Sequence, residues 1–191
     1  MRVKYIKILV FLLSVIWAGK QNLPNITLKD LNNKRQKINQ YYEDGPLLMN
    51  FWNLSCEPCK KEMKELDKIN IKYKDKGFDY ISINIDSPRS MSKVKSYINS
   101  QKFSFTVLSD PKASLFRKVG GKVMPFVIIA DSTGTIVSRH VGYTPGDEKE
   151  LEKEIVHLLG TPEIQSDTIT DQLQITIPDT SLEDSSKSFI K

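Results

Sequence analysis

The chain has 191 residues, of which 39% are hydrophobic and 27% are charged, with a formal net charge of +5 and two cysteines. This length suits one domain of about 100–150 residues with terminal extensions. Lys60, Lys64, Lys68 and Lys72 would lie along one helix face without interleaved aromatic residues. That pattern is typical of a solvated surface and gives little support to nucleic-acid binding.

The first 18 residues have the pattern of an export signal. A cationic start precedes an apolar run from Ile8 to Ala18, which is too short for a membrane span of about 20 residues. We predict cleavage after Ala18. Ile16 and Trp17 make a poor cleavage site, so an uncleaved anchor at the outer face of the inner membrane stays open as an alternative. We expect membrane contact only if this segment stays uncleaved. Either arrangement places the domain in the periplasm, where a cysteine pair can persist as a disulfide.

The region 19–160 alternates between predicted strands and helices. We predict a hairpin from segments 26–28 and 36–38, a buried strand at Leu47–Trp52, and a helix from Glu57 to about Lys76. The later elements are a strand at 78–85, a helix from Ser87-Pro88, a strand at 105–108, a helix from Asp110-Pro111, strands at 126–130 and 135–141, and a helix after Pro145-Gly146-Asp147. This alternation predicts one α/β domain.

The segment 161–191 differs in composition from the domain. It contains six acidic and two basic residues, many Ser, Thr and Gln residues, and few large apolar ones. We predict a disordered, acidic C-terminal tail, within which Leu173–Ile177 could add one short strand.

Cys56 and Cys59 lie where the predicted buried strand passes into the helix, separated only by Glu57 and Pro58. Thiols at this spacing are close enough to form a disulfide, and the positive end of the helix dipole favours a thiolate at the first sulfur. Such a pair is redox-active more often than structural. A zinc site that also used His140 and His157 is disfavoured, because the histidines lack the short spacing of a zinc finger.

The chain resembles the thioredoxin superfamily in three respects. These are the order of its elements, Asn50-Phe51-Trp52 leading into Cys56-Glu57-Pro58-Cys59-Lys60-Lys61-Glu62, and Met124-Pro125 before a late strand. More narrowly, it resembles the exported TlpA/ResA-like thiol-disulfide oxidoreductases from about residue 22 to residue 160. The resemblance implies a thioredoxin-like fold, in which a central mixed sheet is flanked by helices and preceded by an extra N-terminal β-hairpin.

The resemblance also implies a function. We expect an enzyme that reduces disulfides of exported proteins, with apocytochrome c as one partner class and a membrane thiol carrier as the electron donor. We expect a monomer with no cofactor beyond the cysteine pair, since no flavin or nicotinamide site is visible in the sequence.

Each residue of the motif has an expected role. Cys56 would attack the partner's disulfide, and the more buried Cys59 would resolve the mixed disulfide. Pro58 would stiffen the first helical turn without loss of a backbone hydrogen bond. The carboxylate of Glu57 would hold the pKa of the Cys56 thiol above that of a motif with a neutral residue there, which favours a reductant.

Glu62 is the predicted proton acceptor. It follows Cys59 by three residues and could exchange the proton that Cys59 loses when it attacks, the role of the matching glutamate in the resembled branch. The alternative is a surface glutamate paired with lysine. Asn50 stands where cytosolic thioredoxins carry a buried aspartate, which leaves Glu62 as the natural substitute.

Met124, Pro125 and Trp52 are predicted to contact the partner. We expect a cis peptide bond between Met124 and Pro125, with the Met124 backbone turned toward the cysteines to pair with an extended partner segment. Ser55 replaces the aromatic residue that the family usually has before the first cysteine. Met124 is bulkier than the small or β-branched residue that is common before the cis-proline. Both departures suggest an altered partner preference.

Two other functions fit the sequence less well. A peroxiredoxin-type antioxidant would share the fold, but its chemistry needs a threonine three residues before the attacking cysteine, and that position is Asn53. A non-catalytic binding module with the same fold is disfavoured by the intact cysteine pair.

Overall fold

A computed structural model describes residues 21–160, so the predicted export signal and the acidic tail lie outside the described residues. The strands are β1 (Thr27–Asp30), β2 (Arg35–Lys37), β3 (Leu47–Trp52), β4 (Asp79–Asn84), β5 (Thr106–Ser109), β6 (Phe126–Ala130) and β7 (Ile136–Val141). The helices are α1 (Glu57–Tyr73), α2 (Met91–Gln101), α3 (Ser114–Lys118) and α4 (Glu148–Leu158), with 3₁₀ turns at Ile38–Tyr41, Lys74–Lys76 and Pro88–Ser90. Within residues 21–160, no helix combines the length and apolar character needed to span a membrane.

The seven strands form one mixed sheet in the order β2-β1-β5-β4-β3-β6-β7. The central strand β3 runs parallel to β4 and antiparallel to β6, and β4 runs parallel to β5. The hairpin of β1 and β2 joins the sheet through antiparallel pairing of β1 with β5. The predicted α/β fold, with a mixed sheet and an extra N-terminal hairpin, is confirmed.

The core lies on both faces of the sheet, which is why β3 is apolar at every position except Asn50. Successive side chains of a strand point to opposite faces. Leu48 and Trp52 therefore pack with α1, α2 and α4, whereas Leu47, Met49 and Phe51 pack with α3 and the N-terminal hairpin. All six residues of β3 are buried, so the strand forms a rigid base for the segment that follows it.

Helix α1 carries the cysteine motif at its N-terminus. Its apolar residues recur at helical spacing and are buried against the sheet. They are Met63, Leu66, Ile69 and Tyr73. The α-helix ends at Tyr73 and continues as a 3₁₀ turn to Lys76, the predicted end of the helix. Gly77 then stops it at φ 90°, where a Cβ atom would lie 2.6 Å from the Asp44 carbonyl oxygen. Only glycine fits at this position.

Asp110 fixes the short helix α3, and its replacement by alanine should destabilise the domain. The carboxylate is 2% exposed and accepts hydrogen bonds from the backbone amides of Ser114, Leu115 and Phe116 at 2.8–3.1 Å. The first amides of a helix have no partner within the helix. Asp110→Ala should therefore lower the free energy of unfolding by about 2–4 kcal/mol in urea denaturation. The exposed Asp75→Ala control should change it by less than about 0.5 kcal/mol, and equal losses in the two variants would contradict this assignment.

Candidate active site

Cys56 and Cys59 are joined by a disulfide at the start of α1, with their Cα atoms 5.3 Å apart. Cys56 is half-buried, whereas Cys59 is fully buried. The Cys59 amide donates a hydrogen bond to Cys56 Sγ at 3.3 Å, and Cys59 Sγ lies 3.9 Å from the Phe51 carbonyl oxygen. The predicted difference in burial is confirmed, because Cys56 faces outward and Cys59 lies beneath it against β3.

The two residues between the cysteines are exposed. Pro58 lies in the first turn of α1, as predicted. The Glu57 carboxylate accepts a hydrogen bond from Lys60 Nζ at 2.7 Å, and this bond and the charge of Lys60 lower the pKa of Glu57. Glu57 is therefore ionised at neutral pH with its charge partly offset by Lys60. Its effect on Cys56 stays a prediction.

The loop that leads into Cys56 is held by Asp86, which the sequence analysis missed. Asp86 follows β4 and accepts hydrogen bonds through Oδ2 from the Leu54 amide and from Asn84 Nδ2, both at 2.8 Å. Asn53 Oδ1 accepts from the amide and the hydroxyl of Ser55. Since β3 and β4 are parallel, their carboxyl ends meet at one edge of the sheet. An acidic residue just after a buried parallel strand was the available signal.

Asp86→Ala should slow thiol-disulfide exchange without unfolding the domain. Loss of the carboxylate frees the Leu54 amide and loosens the loop that positions Cys56. We expect a roughly tenfold lower rate of reduction by dithiothreitol in stopped-flow fluorescence. Asp86→Asn keeps an acceptor oxygen for the amide and should retain most of the rate. An Asp86→Ala variant as fast as the wild type would show that the loop is positioned by other contacts.

Glu62 lies on the buried face of α1 and is 1% exposed. The alternative of a surface glutamate paired with lysine is therefore wrong. Burial raises the pKa of Glu62 to about 8, the nearby Asn50 amide acts to lower it, and the negative charge of Asp147 raises it. Glu62 Oε2 has no hydrogen-bond partner among residues 21–160. A pKa raised in this way favours the protonated carboxyl group at neutral pH while the cysteines are in the disulfide form.

Asn50 is fully buried on β3, and its side chain has a partner that the sequence analysis did not identify. The hydroxyl of Tyr80, on the neighbouring strand β4, donates a hydrogen bond to Asn50 Oδ1 at 2.9 Å. The ring of Tyr80 is also fully buried, 4.3 Å from that of Phe105. A polar pair therefore lies in the apolar core on the side of the sheet that α1 covers.

The Met124–Pro125 peptide bond is cis, as predicted. Met124 is half-buried and Pro125 is buried. The next residue, Phe126, pairs with Phe51, so Pro125 lies at the end of the sheet from which the cysteine loop leaves β3. Two exposed apolar residues flank this peptide: Val123 precedes it, and Val141 pairs with Phe126 across the sheet. They are 61% and 66% exposed, and the sequence analysis did not single them out.

The prediction that Trp52 contacts the partner is wrong. Its side chain is fully buried, with the ring 5.6 Å from that of Tyr97 on α2. The physical reason is its position in the alternation of β3, which points Trp52 toward the face that α1 and α2 cover. Trp52 instead belongs to the buried cluster against which Leu54 and Cys56 pack.

The two histidines lie apart from the cysteine motif in the architecture. His140 is on β7, with Nε2 2.9 Å from Glu154 Oε1, and His157 is near the end of α4. In the described part of the chain, no group of three or more His, Cys, Asp or Glu residues is arranged to hold a metal ion. The arrangement gives no support to the zinc alternative.

The sequence matches the Redoxin family over residues 18–155. It is similar to the thiol-disulfide oxidoreductase ResA of Halalkalibacterium halodurans, with 27% identity over 76% of this chain and 79% of the relative. It is also similar to the thioredoxin-like protein YneN of Bacillus subtilis, with 28% identity over 71% of this chain and 77% of the relative. The solution structure of a thioredoxin-like protein from Porphyromonas gingivalis matches with a TM-score of 0.62 and 29% identity, over 74% of this chain and 94% of that one. The chain therefore belongs to the Redoxin family and is a ResA-like thiol-disulfide oxidoreductase of the thioredoxin superfamily.

Proposed function

We propose that this enzyme reduces disulfides of exported proteins in the cell envelope. The observation that carries the proposal is the half-buried Cys56, joined to a fully buried Cys59 at a helix N-terminus. In the reduced enzyme, the Cys56 thiolate attacks a partner disulfide, and one partner sulfur leaves as a thiolate. Cys59 then attacks Cys56 Sγ, the Cys56–Cys59 disulfide forms, and the second partner sulfur leaves. The partner gains two electrons, which a membrane thiol carrier restores to the enzyme by reducing the Cys56–Cys59 disulfide.

Glu62 is the proposed acceptor of the Cys59 proton. Attack by Cys59 requires loss of its thiol proton, and Glu62 lies one helical turn further along α1 on its buried face. The raised pKa of about 8 means that Glu62 holds a proton in the disulfide form at neutral pH, the state that follows transfer from Cys59. When the disulfide is reduced again, the same proton returns to the departing Cys59 sulfur. The proton therefore stays within the buried site during the cycle.

The partner surface is proposed at the end of the sheet near Met124 and Pro125. Val123 and Val141 give it an apolar character, and the half-buried Met124 packs against the core. An extended partner segment with apolar residues beside its disulfide would fit this surface. Apocytochrome c before haem attachment is the proposed partner class, and this proposal rests on the resemblance of residues 22–160 to the TlpA/ResA-like branch.

The cell-envelope location rests on the cationic and apolar pattern of residues 1–18. Cell fractionation tests it directly, with a cytoplasmic marker and a periplasmic marker followed in parallel. Recovery of the protein with the cytoplasmic marker would contradict the proposed location and the proposed partners together.

The activity itself is tested by insulin reduction with dithiothreitol as the electron donor. The wild-type protein should accelerate precipitation of the insulin B chain, and a Cys56→Ser variant should not. The metal-free protein should also cycle between its disulfide and dithiol forms with a small dithiol. A protein that folds but fails to cycle would contradict the proposed activity.

A further inference from the structure

Four buried polar residues lie together on the side of the sheet that α1 covers, close behind the cysteine motif. Asn50 pairs with Ser82 across the parallel strands β3 and β4, Tyr80 bonds to Asn50, and Glu62 faces them from α1. Each is at most 1% exposed. Burial of a polar group without a hydrogen-bond partner lowers the stability of the fold. A cluster of such groups is therefore expected to have a role besides stability.

The Tyr80 hydroxyl occupies one end of the Asn50 amide. A tyrosine hydroxyl has one proton to donate, and here it donates to Asn50 Oδ1 at 2.9 Å. The carbonyl end of the amide is thereby occupied, and the donor end, Nδ2, remains. Both Asn50 Nδ2 and Glu62 Oε2 are buried and lack a hydrogen-bond partner among residues 21–160. A donor and an acceptor therefore stand unpaired in the same buried cluster.

We infer that Tyr80 is a positioning residue for the redox reaction: it holds the Asn50 amide with its Nδ2 toward Glu62, and so stabilises the ionised carboxylate that takes the proton of Cys59. The inference rests on the proposed role of Glu62. Without the Tyr80 hydroxyl, the amide can turn and present its oxygen to Glu62, which repels the carboxylate. The tight contact of Tyr80 with Phe105 keeps the ring, and hence the hydroxyl, in place.

The lowering effect of Asn50 on the pKa of Glu62 supports this arrangement. The other ionisable groups that face Glu62 come from the last part of the domain. Asp147 stands just before α4 and raises the pKa of Glu62, and Tyr143 lies in the preceding loop. Both stay unchanged in the variants proposed below. A change in the titration of Glu62 would therefore report on the Tyr80–Asn50 pair.

Tyr80→Phe removes one oxygen atom and tests the inference. The titration of Glu62 is followed in the oxidised full-length protein by carbon-13 NMR of its side-chain carboxyl. We expect the midpoint to rise by about one pH unit, because the Asn50 amide is then no longer held with its donor toward the ionised carboxylate. Asn50→Ala should raise it at least as far, and Tyr80→Phe should add nothing in the Asn50→Ala background. Tyr73→Phe, which removes a hydroxyl bonded to Glu152 elsewhere, should leave the midpoint unchanged.

An unchanged or lower midpoint in Tyr80→Phe would overturn the inference, as would additive shifts in the double variant. Should Tyr80→Phe fail to fold, the wild-type protein still tests the inference. The Asn50 Nδ2 proton resonances should then shift with the same midpoint as the Glu62 carboxyl, and constant resonances would overturn it. Failure of the proposed role of Glu62 can be told apart from failure of this inference. It would appear as an unaltered rate of thiol-disulfide exchange in Glu62→Gln, whatever the titration of Glu62 shows.

Discussion

The Cys59→Ala variant is expected to accumulate covalent adducts with its partners through Cys56. Cys56 is half-buried and can reach a partner disulfide, but the buried sulfur that resolves the mixed disulfide is then absent. Adducts should survive on non-reducing gels of whole-cell extracts and disappear with dithiothreitol. Mass spectrometry of the trapped species would identify the partners and show whether c-type apocytochromes are among them.

Cys56→Ala is the matched control for this trapping experiment. It keeps one cysteine, but that cysteine is fully buried against β3 and should not reach a partner disulfide. We therefore expect at least a tenfold excess of adducts in Cys59→Ala, since disulfide exchange depends on the access and the ionisation of the attacking thiol. Absence of adducts from Cys59→Ala, or equal amounts from both variants, would contradict the assigned order of the cysteines.

The features that depend on local pattern could be predicted from the sequence. The largely apolar sequence of β3 predicts a strand buried on both faces, and the apolar spacing of α1 predicts a helix that packs on it. The position of Cys56 at the junction predicts its exposure relative to Cys59, because the first turn of such a helix projects beyond the sheet. These features depend on neighbours within about one helical turn or one strand.

Other features depend on register between strands that are distant in the sequence. Tyr80 bonds to Asn50 across 30 positions, and Asp86 bonds to Leu54 across 32 positions, through the pairing of β3 with β4. The sequence alone does not fix that register to one residue. The wrong prediction for Trp52 has the same origin. Helices α1 and α2 cover the face of β3 that carries Trp52, and the topology of the whole sheet determines which face they cover.

Glu62→Gln should remove a pH dependence from the stability of the oxidised domain. Burial raises the pKa of Glu62 from 4.5 to about 8, so the folded state binds more protons than the unfolded state between these values. The wild type therefore has its full stability below pH 4.5 and loses stability as the pH rises to about 8, by up to about 1.4 kcal/mol per pH unit. Glutamine is neutral throughout. Urea denaturation should show Glu62→Gln to be the more stable protein at pH 9, and a parallel decline of both proteins would contradict the burial of an ionisable Glu62.

The same substitution should slow the reaction while it stabilises the fold, and this combination distinguishes a functional group from a structural one. Glutamine cannot accept the Cys59 proton, so oxidation of the reduced domain near pH 7 should slow by at least about tenfold, within the range for general acid–base catalysis. The difference should shrink at higher pH, where hydroxide removes the proton. Glu65→Gln, on the same helix but bonded to the exposed Lys68, should leave the pH profile unchanged. A Glu62→Gln variant that gained stability yet kept the pH dependence of the wild-type rate would contradict the catalytic role. The buried carboxyl group would then lower stability without a function in the reaction, and the Cys59 proton would have to reach solvent by a route that does not involve Glu62.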